Sequence, residues 1–206
     1  MDNILFAKVN LAPLPKKSVT EEILNIEKSF WFWDEYRATN MLPLMTKGSL
    51  SGKEGSSNSR VGEFHWLPYV PDVLKNWFET EVFPWMGTRT RVMALLTVPK
   101  FSNLEHIDCN IDEVGTKQHK FRIVLQGRTD TLYFKTQEGD VYAPNIDAPF
   151  IMDGSWPHGM TNFTDDVKLT IAAGAPWNGN VSYNNIEILL DRERYNMPSD
   201  LKKFFR

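Results

Sequence analysis

Cysteine is nearly absent: the chain carries one, Cys109, so no internal disulfide can form and a reducing compartment is expected. Long apolar runs are missing as well. No stretch reaches the roughly 18 consecutive apolar residues of a membrane-spanning helix, and Met-Asp-Asn-Ile-Leu-Phe-Ala-Lys has neither the basic start nor the long apolar core of a secretory leader. The expectation is a soluble cytoplasmic protein without a membrane partner, in which Asn162-Phe-Thr and Asn180-Val-Ser match glycosylation acceptors by chance. An excess of positive charge is the third absence. A net charge of −3 and a pI near 5.8 give no electrostatic footprint for nucleic acid. Internal repeats and low-complexity tails are lacking too.

What is present suits one well-buried domain: 206 residues, 42% hydrophobic and 24% charged. Residues 1–17 read as an extended arm able to add an edge strand. Ser18-Val-Thr-Glu-Glu opens a helix expected over Thr20–Glu27, and the aromatic run Phe30–Trp33 packs it against a sheet or walls a substrate pocket. The Gly- and Ser-rich residues 47–60 are too polar to offset their ordering entropy and are expected to form a mobile loop, either a lid or a plain surface loop. Val73, Leu74, Trp77, Phe78 and Val82 form the stripe of a second helix.

From Arg89 the period becomes that of strands. Arg91–Val98, Lys120–Gln126, Thr131–Thr136, Ala148–Met152, His158–Asn162, Lys168–Ala173 and Asn185–Leu190 are short strands between turns, and Pro198–Arg206 ends in a short helix. Many strands after two helices imply a mainly β domain with flanking helices: a helical part over about 18–84 and a sandwich or barrel over about 85–192, best met by a double-stranded β-helix (jelly roll).

Chemistry concentrates between His106 and Lys168. In His106-Ile107-Asp108 the first and third side chains project from one face of an extended chain and converge, and His158 in Ser-Trp-Pro-His-Gly offers a third donor. Two imidazoles and one carboxylate on one side of an octahedral ion leave positions open for a cosubstrate and dioxygen, as in non-haem Fe(II) oxygenases; zinc hydrolases use similar ligands. Lys168 lies ten residues beyond His158. If the chain doubles back at Phe163, the two become cross-strand neighbours about 5 Å apart at Cβ. An ammonium there suits the far carboxylate of a dicarboxylic cosubstrate, so the set reads as a holder for Fe(II) and 2-oxoglutarate.

Together His106-Ile107-Asp108, His158 and Lys168 resemble the HxD…H…(R/K) pattern of the Fe(II)/2-oxoglutarate-dependent oxygenases, over roughly residues 85–177. The run Lys120-Phe-Arg-Ile-Val-Leu-Gln-Gly127 looks most like the aspartyl/asparaginyl β-hydroxylase branch, which usually has Arg-x-His where this chain has Lys120-Phe121-Arg122, and Arg where it has Lys168. The resemblance implies a jelly roll in which His106, Asp108 and His158 bind Fe(II) and Lys168 pairs the 5-carboxylate of 2-oxoglutarate. Dioxygen would then be consumed, succinate and CO2 released, and a peptide side chain or small metabolite hydroxylated.

Arg122 shares a strand face with Lys120, Val124 and Gln126. Facing inward it needs an anion, 2-oxoglutarate or a substrate carboxylate; facing outward it is a surface residue. Tyr133 is a candidate to hydrogen-bond the cosubstrate if it too faces inward. Asn103, Asp112, Glu113 and Asp153 are candidates to orient the imidazoles, and Trp156 to shield the metal. Cys109 should point away as a buried, inert thiol, His119 reads as a partly exposed histidine, and His65 as structural. A jelly-roll protein that binds metal or ligand without turnover is the alternative. A zinc hydrolase is weaker, since no HExxH is present and Lys168 would go unexplained. Substrate identity and oligomeric state stay open.

Overall fold

The computed structural model describes residues 3–35, 37–47, 63–109, 114, 119–174 and 184–205. Residues 48–60 of the expected loop, together with Asp112, Glu113 and Asn180, lie outside them.

Helix α1 (Lys16–Leu24) begins directly after Pro15, four residues before the expected start, because the proline ends the extended arm. The Ser18 hydroxyl donates to the Pro15 carbonyl at 3.1 Å. The second helical run joins α2 (Asp72–Trp77), a π turn (Phe78–Val82) and α3 (Phe83–Met86), and stops at Gly87, whose φ of 70° suits glycine. The π turn rotates the apolar stripe, so Leu74, Trp77, Phe78 and Val82 are buried while Val73 is exposed.

The strands are β1 (Ile4–Val9), β2 (Phe32–Asp34), β3 (Thr39–Lys47), β4 (Phe64–Trp66), β5 (Val92–Thr97), β6 (Phe101–Ser102), β7 (His119–Gln126), β8 (Leu132–Thr136), β9 (Gly139–Tyr142), β10 (Phe150–Asp153), β11 (His158–Asn162), β12 (Lys168–Ala173) and β13 (Ile186–Asp191). They form a major sheet ordered β13-β1-β10-β7-β12-β5-β3-β2, with β4 on β3, and a minor sheet ordered β6-β11-β8-β9. Their pairings are antiparallel. From β5 to β12 the chain shuttles between the sheets: β5 major, β6 minor, β7 major, β8 and β9 minor, β10 major, β11 minor, β12 major. That winding is the double-stranded β-helix expected from the strand pattern.

Two details differ from expectation. The N-terminal arm is an interior strand, with β1 paired to both β10 and β13. β3 had no strand signature because Pro43 interrupts it; the sheet accommodates the missing N–H with a register shift between Pro43 and Met45.

Alternation along the major strands separates two cores. Phe121, Ile123, Leu125, Ile151, Leu169 and Ile171 point outward onto the helices, among Val19, Ile23, Leu74 and Phe78. Val124, Phe150 and Met152 point inward against Leu132, Phe134 and Trp156 of the minor-sheet side. Burying full side chains on both faces of one sheet stabilises it by roughly 1.5–3 kcal/mol each. It also settles orientation: residues in phase with Val124, including Arg122 and Lys120, face the space between the sheets. No helix among the described residues is long and apolar enough to cross a membrane.

Candidate metal centre

His106 and His158 meet as an isolated antiparallel bridge, each backbone N–H donating to the other's carbonyl at 3.0 Å. Their rings lie 4.5 Å apart between centroids. Asp108 joins them: its Oδ1 is 3.6 Å from His106 Nε2 and its Oδ2 3.9 Å from His158 Nε2. One donor atom from each of the three falls within 4.8 Å of the others. The segment is fixed from behind, where Ile107 N–H donates to Phe204 O (3.1 Å) in the C-terminal 3-10 turn Lys202–Phe204, and Asp108 N–H to Gly154 O (2.8 Å).

The outer contacts of the imidazoles set their tautomers. His106 Nδ1 lies 2.7 Å from Leu104 O, and His158 Nδ1 2.8 Å from Trp156 O. A carbonyl only accepts, so each Nδ1 carries the proton and each Nε2 presents its lone pair to the centre. Burial lowers the pKa of both rings, that of His158 to about 3, helped by neighbouring His106. Burial pushes Asp108 up, but Lys120, His106, Arg37 and His158 together hold it well below the usual carboxylate range. Neutral imidazoles and an ionised carboxylate are the protonation states a divalent cation requires, so the donor set fits one.

Sequence reasoning missed most of the charge around Asp108. Arg37, in the turn between β2 and β3, donates from Nη2 to Asp108 Oδ1 at 2.9 Å and pairs with Asp34 at 3.2 Å through Nη1. Lys120 Nζ donates to the Asp108 carbonyl at 3.3 Å. Arg122 faces inward, its Nη2 3.5 Å from Asp108 Oδ2 and its Nη1 donating to Phe121 O at 3.1 Å. Burial lowers its pKa to about 10, with Asp108 opposing. Arg91 is within electrostatic reach of Arg37, Asp108 and Asp34. Only Lys120 and Arg122 had a sequence signal, their shared strand face.

Lys168 is placed differently from the expected hairpin. His158 belongs to β11, whose partners are β6 and β8, whereas Lys168 belongs to β12, between β5 and β7. The chain crosses from one sheet to the other near Phe163, so the two residues are not cross-strand neighbours. Lys168 instead reaches across the barrel, its ammonium hydrogen-bonded to the hydroxyl of Thr131, the residue just before β8. Thr131 is three residues from Phe134, the partner of His158 in register, which puts the ammonium about 10 Å along the barrel from the level of His158. Lys168 is 3% exposed. It forms no ion pair among the described residues, and burial lowers its pKa to about 7 despite Asp130. Gly127, at φ 99°, makes room for its stem: a Cβ there would lie 3.1 Å from Lys168 Cγ.

Tyr133 does not face the barrel. It alternates with the inward Leu132 and Phe134, and its hydroxyl donates to Glu105 Oε1 at 3.1 Å on the outer side of the minor sheet. There it covers Gly159, where a Cβ would come within 2.6 Å of the phenol oxygen. Asp153 accepts from Ser155 and Arg192 rather than from an imidazole. Asn103 Oδ1 accepts from the Thr97 hydroxyl at 3.4 Å. Trp156 contributes its carbonyl to the centre, while its indole N–H donates to Lys135 O at 2.7 Å. Cys109 is half-buried rather than fully buried, and His119 is buried, in phase with outward Phe121. His65 sits in β4, opposite Thr46.

No protein-family model and no curated protein matches the chain. Among solved structures it is similar to a Pseudomonas putida prolyl-4-hydroxylase, at 11% identity and a TM-score of 0.49 over 82% of this chain and 90% of that one. It is similar to a 2OG-Fe(II) oxygenase family oxidoreductase from Burkholderia pseudomallei, at 10% identity and 0.49 over 76% and 75%. It is also similar to a Trichoplax adhaerens prolyl hydroxylase in complex with a hypoxia inducible factor oxygen degradation domain peptide fragment, at 12% identity and a TM-score of 0.47 over 84% of each chain. The jelly-roll assignment stands on the strand order itself, and the metal centre on its own donor atoms.

Proposed function

We propose that this chain is one Fe(II)- and 2-oxoglutarate-dependent dioxygenase domain that hydroxylates its substrate in a reducing, cytoplasmic setting. His106, Asp108 and His158 hold the iron through Nε2, a carboxylate oxygen and Nε2. Lys168, with the Thr131 hydroxyl beside it, receives the far carboxylate of 2-oxoglutarate. The observation that carries the reading is the buried Lys168 ammonium, which has a hydroxyl but no carboxylate within the barrel among the described residues. A buried cation without a counter-charge is costly, and an anionic ligand anchored there removes the cost.

When bound, iron and 2-oxoglutarate supply the oxidising power, with dioxygen consumed and succinate and CO2 released. The chain's own part is positional. The carbonyls of Leu104 and Trp156 aim the two imidazoles, Arg37 aims Asp108, and the inward apolar residues Val124, Phe134 and Met152 keep water from the interior. Tyr133, facing outward, has no role toward the cosubstrate. Likeness to the aspartyl/asparaginyl β-hydroxylase branch rests on the Lys120–Gly127 run of the sequence, which departs from that branch's Arg-x-His at Lys120-Phe121-Arg122. The test is succinate formation that requires both Fe(II) and 2-oxoglutarate. Undiminished formation by His158→Ala rejects the assignment.

A further inference from the structure

The turn between β10 and β11 meets the metal centre through its backbone. Gly154 O accepts from Asp108 N–H at 2.8 Å, and Trp156 O accepts from His158 Nδ1–H at 2.8 Å. A carbonyl aims a ligand only as well as its own peptide is held, so whatever fixes this turn fixes two of the three donors. Part of the work is done inside the turn. Asp153 Oδ1 accepts from the Ser155 N–H at 2.9 Å and from the Ser155 hydroxyl at 2.6 Å, and Trp156 N–H donates to Asp153 O at 3.3 Å. The Asp153 carboxylate is fully buried and so needs a counter-charge. Arg192 brings it from outside the turn. Its Nη1 donates to Asp153 Oδ2 at 2.5 Å, and its guanidinium carbon lies over the Trp156 ring, 5.3 Å from the centroid. One side chain thus grips the turn at both Asp153 and Trp156. Arg192 is itself fixed, because it opens the 3-10 turn Arg192–Arg194 after β13 and its N–H donates to Asn3 O at 2.6 Å. The same C-terminal segment returns to the centre at buried Phe204, whose carbonyl accepts from Ile107 N–H between two of the ligands.

We propose that Arg192 is a positioning residue of the metal centre: through Asp153 and Trp156 it holds the turn whose carbonyls aim His158 and brace Asp108. The proposal rests on the Fe(II)/2-oxoglutarate reading and adds to it a residue beyond β13, well outside the stretch that bears the ligands. A guanidinium suits this task because its fork donates to the carboxylate while its delocalised cation sits over the indole. An ammonium does the first and does the second less well. Without Arg192 the buried Asp153 carboxylate turns toward water and draws the Trp156 carbonyl away from His158. Leu104 O, which aims His106, lies in another segment and has no link to Arg192 among the described residues. The two imidazoles therefore respond differently to loss of Arg192.

The experiment compares wild type with Arg192→Met, Arg192→Lys and the double variant Arg192→Met/Asp153→Asn, which leaves no unpaired charge in the turn and so protects folding. In the metal-free protein, proton NMR of the imidazole Nδ1–H groups reads the two carbonyl bonds separately. Wild type should show two slowly exchanging downfield signals. In Arg192→Met and in the double variant the His158 signal should be lost while the His106 signal stays, and Arg192→Lys should keep both. Mn(II) affinity, measured by competition with a chelator, should fall by about tenfold or more in the same two variants and be partly recovered in Arg192→Lys. Val19→Ala, in the outer core under helix α1, is the control for instability alone: it should lower the melting temperature and leave Mn(II) affinity and both signals unchanged. A wild type that takes up no Mn(II) overturns the metal reading itself. A wild type that binds Mn(II), with a double variant that binds it equally and keeps the His158 signal, overturns only the role of Arg192. Loss of both histidine signals alike, in Val19→Ala as in Arg192→Met, overturns it too, by reducing the effect to general stability.

Discussion

Arg37 donates from its guanidinium to Oδ1 of Asp108 at 2.9 Å, across 71 residues of sequence. The same side chain pairs with Asp34, so a turn between two strands at the sheet edge governs the angle of a metal-facing carboxylate. Partners of this kind typically contribute 10–100-fold to metal affinity, so Arg37→Ala should weaken Fe(II) binding by about that factor. Arg37→Lys should recover only part, because an ammonium cannot bridge two carboxylates with one planar fork. Competition with a chromophoric chelator measures both, and unchanged affinity in Arg37→Ala would remove this residue from the account.

Lys168→Met should separate stability from function. The variant replaces a buried ammonium that has no carboxylate partner among the described residues by an apolar chain of similar length, so its melting temperature should equal or exceed that of wild type without ligand. Binding of 2-oxoglutarate should be lost. Calorimetry with and without 2-oxoglutarate reads both, and a destabilised variant that still binds the cosubstrate contradicts the placement.

The depressed pKa of Lys168 gives a pH dependence. Burial brings it to about 7, and an incoming carboxylate requires the protonated form. Below pH 7 the ammonium is already charged and affinity is full. Above pH 7 the free protein must take up a proton on binding, so affinity should fall, approaching about tenfold per pH unit. Lys168→Arg stays charged throughout and should flatten the profile between pH 7 and 9 relative to wild type. Parallel slopes in the two proteins would deny Lys168 the anchoring role.

Gly127→Ala tests the room left for that anchor. The φ of 99° already disfavours a side chain, at about 1–3 kcal/mol, and the new Cβ would press on the Lys168 stem at 3.1 Å. Chemical denaturation should show a loss of that order, with weaker 2-oxoglutarate binding in the folded fraction. Wild-type values for both would mean that the turn and the stem adjust freely.

The centre was legible in sequence where spacing alone decides geometry. His106 and Asp108 share a face because they are two residues apart, and the short strands declared themselves by alternation and turn chemistry. The partner of each strand was not legible. The spacing of His158 and Lys168 suits a hairpin, yet the chain between them changes sheets, because the sheet-crossing order of a jelly roll is set by tertiary packing. Which strand face looks inward was equally undecided until Phe121, Ile123 and Leu125 were seen to pack on the helices, turning Arg122 inward. On β8 the same rule turned Tyr133 outward. Pro43 concealed β3, and Arg37 belongs to a turn without periodic pattern, so nothing local pointed to Asp108.

The central claim is that the His106, Asp108 and His158 donors hold Fe(II) while Lys168 holds the far end of 2-oxoglutarate. Anaerobic titration of the Fe(II)-loaded protein with 2-oxoglutarate, followed by visible absorption, tests it most directly. Wild type should develop a charge-transfer band that Asp108→Ala never shows and Lys168→Met shows only at far higher 2-oxoglutarate. No band in wild type, or bands of equal strength and affinity in all three, would contradict it.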